Sequence, residues 1–208
     1  HMASTTTDNV TELSAVNSIL GAIGQSPINE LDKTNPEVAF IYDILVEVNR
    51  DVQDEGWVFN TERHRKFSPD ANNEIVLTNR MLRLDLADGQ KDRSKRVVQR
   101  GGKLYNLNND PHDYKFTGDQ ICTVVWLFAF EDLPSVFRRY ITTRAAARAA
   151  AQLVSSSELM QMLQTQEQYA RAACMEYDCQ QGDYSMMGYP DNSNYQSYQP
   201  HIALDRYA

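Results

Sequence analysis

The chain has 208 residues, 42% of them hydrophobic and 10% aromatic, a composition typical of a globular protein with a substantial core. Its 28 acidic residues outnumber its 20 lysines and arginines, and the net charge of −8 argues against general nucleic-acid binding because attraction to phosphate requires surplus cations. No apolar run reaches the roughly 18 residues of a membrane span, and the three cysteines and four histidines show no metal-ligand spacing. We therefore expect no membrane insertion by this chain, no metal and no cofactor. We take residues 1–10 as a flexible N-terminus that opens with a cloning scar.

Two helices are predicted in the first third of the chain. Apolar residues recur at helical spacing over Thr11–Ile23, and Gly24 follows where a left-handed cap is favoured. A second helix is predicted from Asn35-Pro36, which supply an N-cap and a first-turn proline, to Gly56. Its apolar stripe predicts a partner helix in this chain or in another, and it consists of Val38, Ile41, Leu45, Val48 and Val52.

The middle third predicts strands. Leu82, Leu84 and Leu86 alternate with polar residues, as in a half-buried strand. The Gly101-Gly102 pair predicts the turn of a hairpin. The segment Ile121–Phe130 is dense in β-branched and aromatic residues, which predicts the most buried strand.

The last third returns to helix. Asp132 precedes a proline in a pattern typical of a helix start. Ser155 with Glu158 fits a capping box for a further helix, which we expect to reach about Cys179. The alanines of Ala145–Ala151 either let another backbone approach closely or fill an exposed helical face, and the sequence favours neither interpretation.

Charge is segregated along the chain. Residues 61–103 hold 11 basic and 6 acidic residues, and they form a basic segment in an otherwise acidic protein. This segment is either a hairpin whose cations face water or a surface that meets an acidic partner, such as DNA or the acidic helices of another copy; the residues alone favour the first interpretation. We call five of these cations, which lie in or next to the predicted hairpin, the basic hairpin set; they are Arg93, Lys95, Arg96, Arg100 and Lys103.

The C-terminal segment has the composition of an interface. Residues 183–208 are rich in Tyr, Met, Asn, Ser and Gln and are too polar to fold alone. Because tyrosine and methionine are enriched at interfaces, docking onto another subunit is slightly favoured over wrapping around its own domain. The residues assigned to this docking are Tyr184, Met186, Met187, Tyr189, Tyr195 and Tyr198.

Several blocks in collinear order resemble tail tubular protein A, the family of head-to-tail adaptors of short-tailed bacteriophages, the podoviruses. The blocks are residues 11–27 (TELSAVNSILGAIGQSP), 55–60 (EGWVFN), 100–105 (RGGKLY), 132–141 (DLPSVFRRYI) and 174–177 (CMEY). They span most of residues 11–187, while the run Ala145–Ala151 and the segment beyond Gly188 depart from the family pattern.

The resemblance implies an α+β fold that is mainly α. Residues 11–56 and 132–181 would form an antiparallel four-helix bundle, 57–131 a β-rich insertion, and 182–208 an extended C-terminal tail. It also implies a structural protein of the virion tail, assembled in the host cytoplasm. Its twelve-membered ring would join the portal protein to the tail nozzle protein (tail tubular protein B), with double-stranded DNA passing through it and a tail fibre attached near the junction.

Charge is predicted to set the contacts between neighbouring copies in such a ring. Acidic positions on the second helix, Asp43, Glu47 and Asp51, would meet basic positions on the third helix of the neighbour. Each exposed pair contributes only about 0–1 kcal/mol, so the pairs would set register more than affinity. The basic positions are Arg138, Arg139, Arg144 and Arg148. We further expect the basic hairpin set to face the nozzle or the fibre, and the C-terminal segment to dock onto the portal.

An enzyme is the competing class. The sequence contains no GxSxG, P-loop, HExxH or GxGxxG motif, so we assign no catalytic residue and expect a protein that is not an enzyme. A glycan-degrading hydrolase is the alternative, and it would need two carboxylates about 5–9.5 Å apart across a sugar-binding cleft. Glu62, Asp70 and Glu74 are the candidates for that role.

Overall fold

The computed structural model describes residues 10–86 and 97–186, with side chains described up to residue 182. These ranges contain four α-helices and five β-strands. They divide into two units. One comprises the described residues up to Val52 together with Phe128–Tyr177, and the other comprises Gln53–Leu127 together with the described residues from Asp178 onward. No helix in the described ranges combines the length and the apolar character needed to cross a bilayer.

Helices α1 (Glu12–Ala22) and α2 (Pro36–Asp54) form where the sequence predicts them. Thr11 caps α1 through a capping box, because its hydroxyl accepts the Ser14 N–H at 3.1 Å while its own N–H donates to the Ser14 hydroxyl at 2.9 Å. The predicted apolar stripe of α2 is confirmed, since all five of its members are at most 3% exposed. The buried face of α1 consists of Ala15, Val16, Ile19 and Leu20.

Helix α3 (Ser135–Leu153) packs against α1. Every alanine from 145 to 150 is at most 6% exposed, so the exposed-face interpretation is wrong for them, and their burial favours close approach of another element; Ala151, at the end of the run, is exposed. Asp132 does not begin this helix, although its place before a proline predicts a helix start. Asp132 belongs to a short 3-10 turn, Phe130–Asp132, and Pro134 occupies the N-cap position of α3 with no side-chain cap.

Helix α4 (Ser157–Met186) has 30 residues and is therefore about 45 Å long. Its first turn is capped by Ser156, one residue later than predicted, since the Ser156 hydroxyl accepts the Leu159 N–H at 3.2 Å. Among its contacts with α3, the Cys174 thiol donates to the Val136 carbonyl at 3.3 Å, and the rings of Phe137 and Tyr177 meet edge to face at 6.0 Å. The residues of α4 that are buried or half-buried recur at steps of three and four, and they include Met160, Leu163, Glu167, Ala170, Cys174 and Tyr177.

The prediction of a mainly α protein built on an antiparallel four-helix bundle is wrong. About 50% of the described residues are helical, 18% lie in strands, and the strands form two antiparallel sheets. An apolar stripe shows that a helix is covered on one face, but it does not show which element covers it, and this is why the helices were placed correctly while their arrangement was not. Residues 182–186, predicted as the start of the extended tail, belong to α4 instead, and the rest of that segment lies outside the described residues.

Three strands, β1 (Thr61–Phe67), β2 (Met81–Leu86) and β5 (Gln120–Trp126), form an antiparallel sheet in the order β1-β5-β2. The segment predicted as the most buried strand thus supplies the central one. Strands β3 (Val97–Arg100) and β4 (Lys103–Asn106) form the predicted hairpin, and its two turn glycines have φ of +61° and +73°, in the region that only glycine enters readily. The core of this unit consists of Ile75, Leu77, Met81, Leu84, Leu104, Phe116, Cys122 and Val124.

Pairing with β5 is irregular on both sides. The register shifts between Glu62 and Arg65 on β1, where His64 has a φ of 58°, and between Met81 and Arg83 on β2. The half-buried strand predicted from the leucines is confirmed in β2: Leu84 is buried and Leu82 and Leu86 are half-buried, while Arg83 and Asp85 between them are exposed.

One buried side chain, Asn60, ties together the backbone around the start of β1. Its amide donates to the carbonyls of Gln53 at 2.8 Å and Trp126 at 2.9 Å, and its carbonyl oxygen accepts the Trp57 N–H at 2.8 Å. Asn60 is 1% exposed, so these bonds satisfy three backbone groups that are shielded from water.

Candidate functional surfaces

Three arginine side chains of α3, those of Arg138, Arg144 and Arg148, bind partners within the chain. Arg148 lies between two carboxylates of α2 that are one turn apart, with Nη1 3.3 Å from Glu47 Oε1 and Nη2 3.4 Å from Asp51 Oδ2. The structure thus brings together part of the predicted acidic and basic sets, but inside one copy. The pairing joins α3 to α2 because a guanidinium can bridge two carboxylates at i and i+4.

Two further arginines of α3 also have partners close by. Arg144 Nε lies 3.9 Å from Glu167 Oε1 on α4. Arg138 donates to the Val10 carbonyl at 3.0 Å, just ahead of α1. Arg139 is the exposed arginine of the basic set, and all three acidic positions on α2 are exposed. The contact between neighbouring copies stays a prediction.

The basic hairpin set falls partly outside the described residues, where Arg93, Lys95 and Arg96 lie. Arg100 is exposed at the end of β3, and its guanidinium lies over the Tyr105 ring, 4.4 Å from the centroid. The Tyr105 ring in turn meets the Tyr114 ring edge to face at 5.0 Å. This end of the hairpin therefore presents a cation backed by aromatic rings, an arrangement that suits an anionic or aromatic partner.

Lys103 differs from Arg100 because its charge is compensated. The Glu74 carboxylate accepts hydrogen bonds from Lys103 and from Lys115, whose Nζ lies 3.3 Å away. The hydrogen bond from Lys103 is the largest cause, and the bond from Lys115 the next, of a Glu74 pKa below its ordinary value. The hydrogen bond between Lys103 and Glu74 also raises the pKa of Lys103. Lys103 is thus part of a local ion-pair cluster and adds little net positive charge to the hairpin.

The three carboxylates considered for a hydrolase all serve local structure. Glu62 accepts hydrogen bonds from Arg65 at 3.2 Å and from the Trp126 indole at 3.0 Å. Asp70 accepts the backbone N–H of Asn72 at 2.9 Å in a turn. A general acid needs a raised pKa, whereas the pKa of Glu74 is lowered. Nothing in these contacts favours acid catalysis.

The residues assigned to C-terminal docking lie at or beyond the end of α4. The backbone of Tyr184 and Met186 belongs to the last turns of the helix. Met187, Tyr189, Tyr195 and Tyr198 lie outside the described residues, so their role stays a prediction.

Sequence reasoning missed one surface, the exposed side of α4. Its large apolar side chains are Met162, Tyr169 and Met175, which are 52%, 76% and 49% exposed. The signal available in the sequence was the scarcity of charge between residues 159 and 175, where Glu167 and Arg171 are the two charged residues.

Comparison with known proteins gives a family. A family model described as tail tubular protein matches residues 13–184, which is more than half of the chain. No curated protein matches the sequence at a significant level. The match covers all four helices and all five strands, except for the first residue of α1 and the last two of α4. The chain therefore belongs to the tail tubular protein family, and it is a structural protein of a bacteriophage tail.

Proposed function

We propose that this chain is a head-to-tail adaptor, a subunit of a twelve-membered ring that joins the portal protein to the tail nozzle protein. The observation that carries the proposal is the family match over residues 13–184, together with the collinear blocks that resemble the adaptor branch of such proteins. In this role the chain is assembled in the host cytoplasm and ends in the virion tail. It binds other virion proteins and turns over no substrate.

The charge of the chain supports passage of DNA through such a ring. A channel that gripped phosphates tightly would stall the DNA, and tight grip requires surplus cations. The chain carries −8 overall, and Glu74 compensates Lys103 within the hairpin.

The exposed end of the hairpin is the proposed contact for the nozzle or the fibre. Arg100 keeps its charge at the surface, stacked on Tyr105. Arg100→Glu reverses that charge, and we expect it to weaken attachment of the nozzle or fibre. Arg80→Glu is the matched control, since Arg80 is exposed and lies outside the hairpin. Equal attachment by both variants would remove the hairpin from this role.

The C-terminal segment is the proposed contact for the portal. Deleting residues 187–208 removes none of the described helices and strands. We expect the shortened chain to keep its helical circular dichroism and to lose co-sedimentation with the portal protein. Unchanged co-sedimentation would exclude the segment from the portal contact.

Electron microscopy of negatively stained samples tests the adaptor role directly. The full chain is imaged alone and after mixing with purified portal protein. We expect closed rings that lie coaxially on the portal. Portal particles that never acquire the chain, at any mixing ratio, would contradict the proposal.

A further inference from the structure

The exposed surface of α4 carries no charge over about four turns. Within residues 159–175 the two charged residues both turn toward α3: Glu167 faces Arg144, and Arg171 donates to the Tyr140 hydroxyl at 2.9 Å. Every exposed side chain in this stretch is Gln, Thr, Ala, Met or Tyr. We call this surface the uncharged α4 face.

The uncharged α4 face carries two large apolar side chains on one stripe. Met162, Gln166, Tyr169 and Ala173 follow one another at i, i+4, i+7 and i+11, so they lie on one stripe, separate from the stripe that α3 covers. Tyr169 is 76% exposed and Met162 is 52% exposed. Single exposed apolar residues are common on proteins, but a row at helical spacing on a surface without charge is what a second protein surface packs against.

The chemistry of the face excludes two classes of partner. DNA binding requires cations, and none lies on this face. A helix that lies on a lipid surface has a strongly charged polar face, often rich in lysine or arginine, whereas the polar residues here are mainly glutamines. A protein surface is the occupant that remains.

Charge then favours a second copy of this chain. Each copy carries −8, so two copies repel one another wherever their acidic surfaces approach. The repulsion is smallest at a surface without charge, and such a surface can be buried without leaving an unpaired ion. Glutamine, tyrosine and methionine on such a face supply contact area and hydrogen bonds that do not depend on opposite charges.

We propose that the uncharged α4 face is a site of contact between copies of this chain. The proposal deepens the adaptor role and rests on it, because a ring requires each subunit to bind its neighbours. Since Arg144 and Arg148 are engaged within one copy, the contact proposed here depends on packing rather than on ion pairs. Association through this face is therefore expected to persist at high salt, where exposed ion pairs are screened.

Sedimentation velocity of the full chain tests the proposal. We compare the wild type with Met162→Glu and Tyr169→Glu, each of which puts a charge into the face. We expect both to associate roughly tenfold or more weakly than the wild type. Tyr169→Gln adds no charge, so its association should be weaker than that of the wild type and stronger than that of Tyr169→Glu. The matched control is Val76→Glu, because Val76 is 63% exposed and belongs to the other unit; we expect it to behave as the wild type does. Circular dichroism checks that every variant is folded.

The same proteins are also mixed with the portal protein and imaged, so that association which needs the portal is seen. Rings that form equally well with Tyr169→Glu and the wild type would overturn the α4 proposal and leave the adaptor role intact. A wild type that stays monomeric at about 100 µM, and that forms no ring beside the portal, would overturn both.

Discussion

Replacing Ala149 with leucine tests whether the alanines of α3 hold two elements close together. Ala149 is 0% exposed, and a packed interior leaves no room for three further carbon atoms unless neighbouring side chains or the helix itself move. Overpacking of this kind lowers the free energy of unfolding by about 1–3 kcal/mol. In a chain of this size each kcal/mol corresponds to about 2–4 °C in Tm, so we expect Ala149→Leu to melt about 2–12 °C below the wild type.

The assay is thermal unfolding followed by far-ultraviolet circular dichroism, with Ala151→Leu as the matched control. Ala151 lies on the same helix two residues further along, but it is exposed. Leucine and alanine have similar helix propensities, so the control should stay within about 0.5 kcal/mol of the wild type. If both variants melt at the same temperature, the buried alanines do not mark a close approach, and the packing argument for α3 is refuted.

Three further outcomes are expected. Asn60→Ala leaves three backbone groups without their partner, so it should lower the free energy of unfolding, measured by urea titration, by about 2–4 kcal/mol. A loss well below about 1 kcal/mol would show that water replaces the amide. Since Lys103 and Lys115 lower the pKa of Glu74 from 4.5, this carboxylate stabilises the fold above that pH, and the contribution is lost as the pH falls through the lowered pKa. Glu74→Gln should therefore lose less stability than the wild type between about pH 6 and about pH 3 in urea titrations, and identical losses would count against the ion-pair cluster. Burial raises the pKa of Cys122 to about 11, and Cys174 is buried as well, whereas Cys179 is exposed. An alkylating agent should therefore modify Cys179 first, as measured by mass spectrometry. Early modification of Cys122 would contradict its burial in the core of the sheet.

The sequence predicted local elements well because local patterns encode them. The α2 stripe, the Gly101-Gly102 hairpin and the central strand β5 all depend on residues close together in the chain. The arrangement of the helices was not predictable in the same way. An apolar stripe gives the direction of the covering element and not its identity, so the stripes do not distinguish a four-helix bundle from another arrangement of helices.

The charged positions show the same limit. The opposite charges of Asp51 and Arg148 predict that these residues bind an oppositely charged partner. The two are 97 residues apart in the chain, so their charges alone do not show that they bind each other within one copy. The uncharged α4 face was missed for another reason. Glutamine-rich helical turns are neither apolar nor charged, so neither the hydrophobic pattern nor the charge pattern marks them. The structure shows that the outer side carries no charge, because Glu167 and Arg171 both point toward α3.

The irregular β1 strand bears on whether copies of this chain can pair edge to edge. An outer strand with a regular ladder would template intermolecular cross-β pairing. The shift between Glu62 and Arg65, with His64 in a left-handed conformation, interrupts that ladder halfway along the strand. Strand addition by a second copy along this edge is thereby disfavoured, at the cost of one imperfect pair of strands.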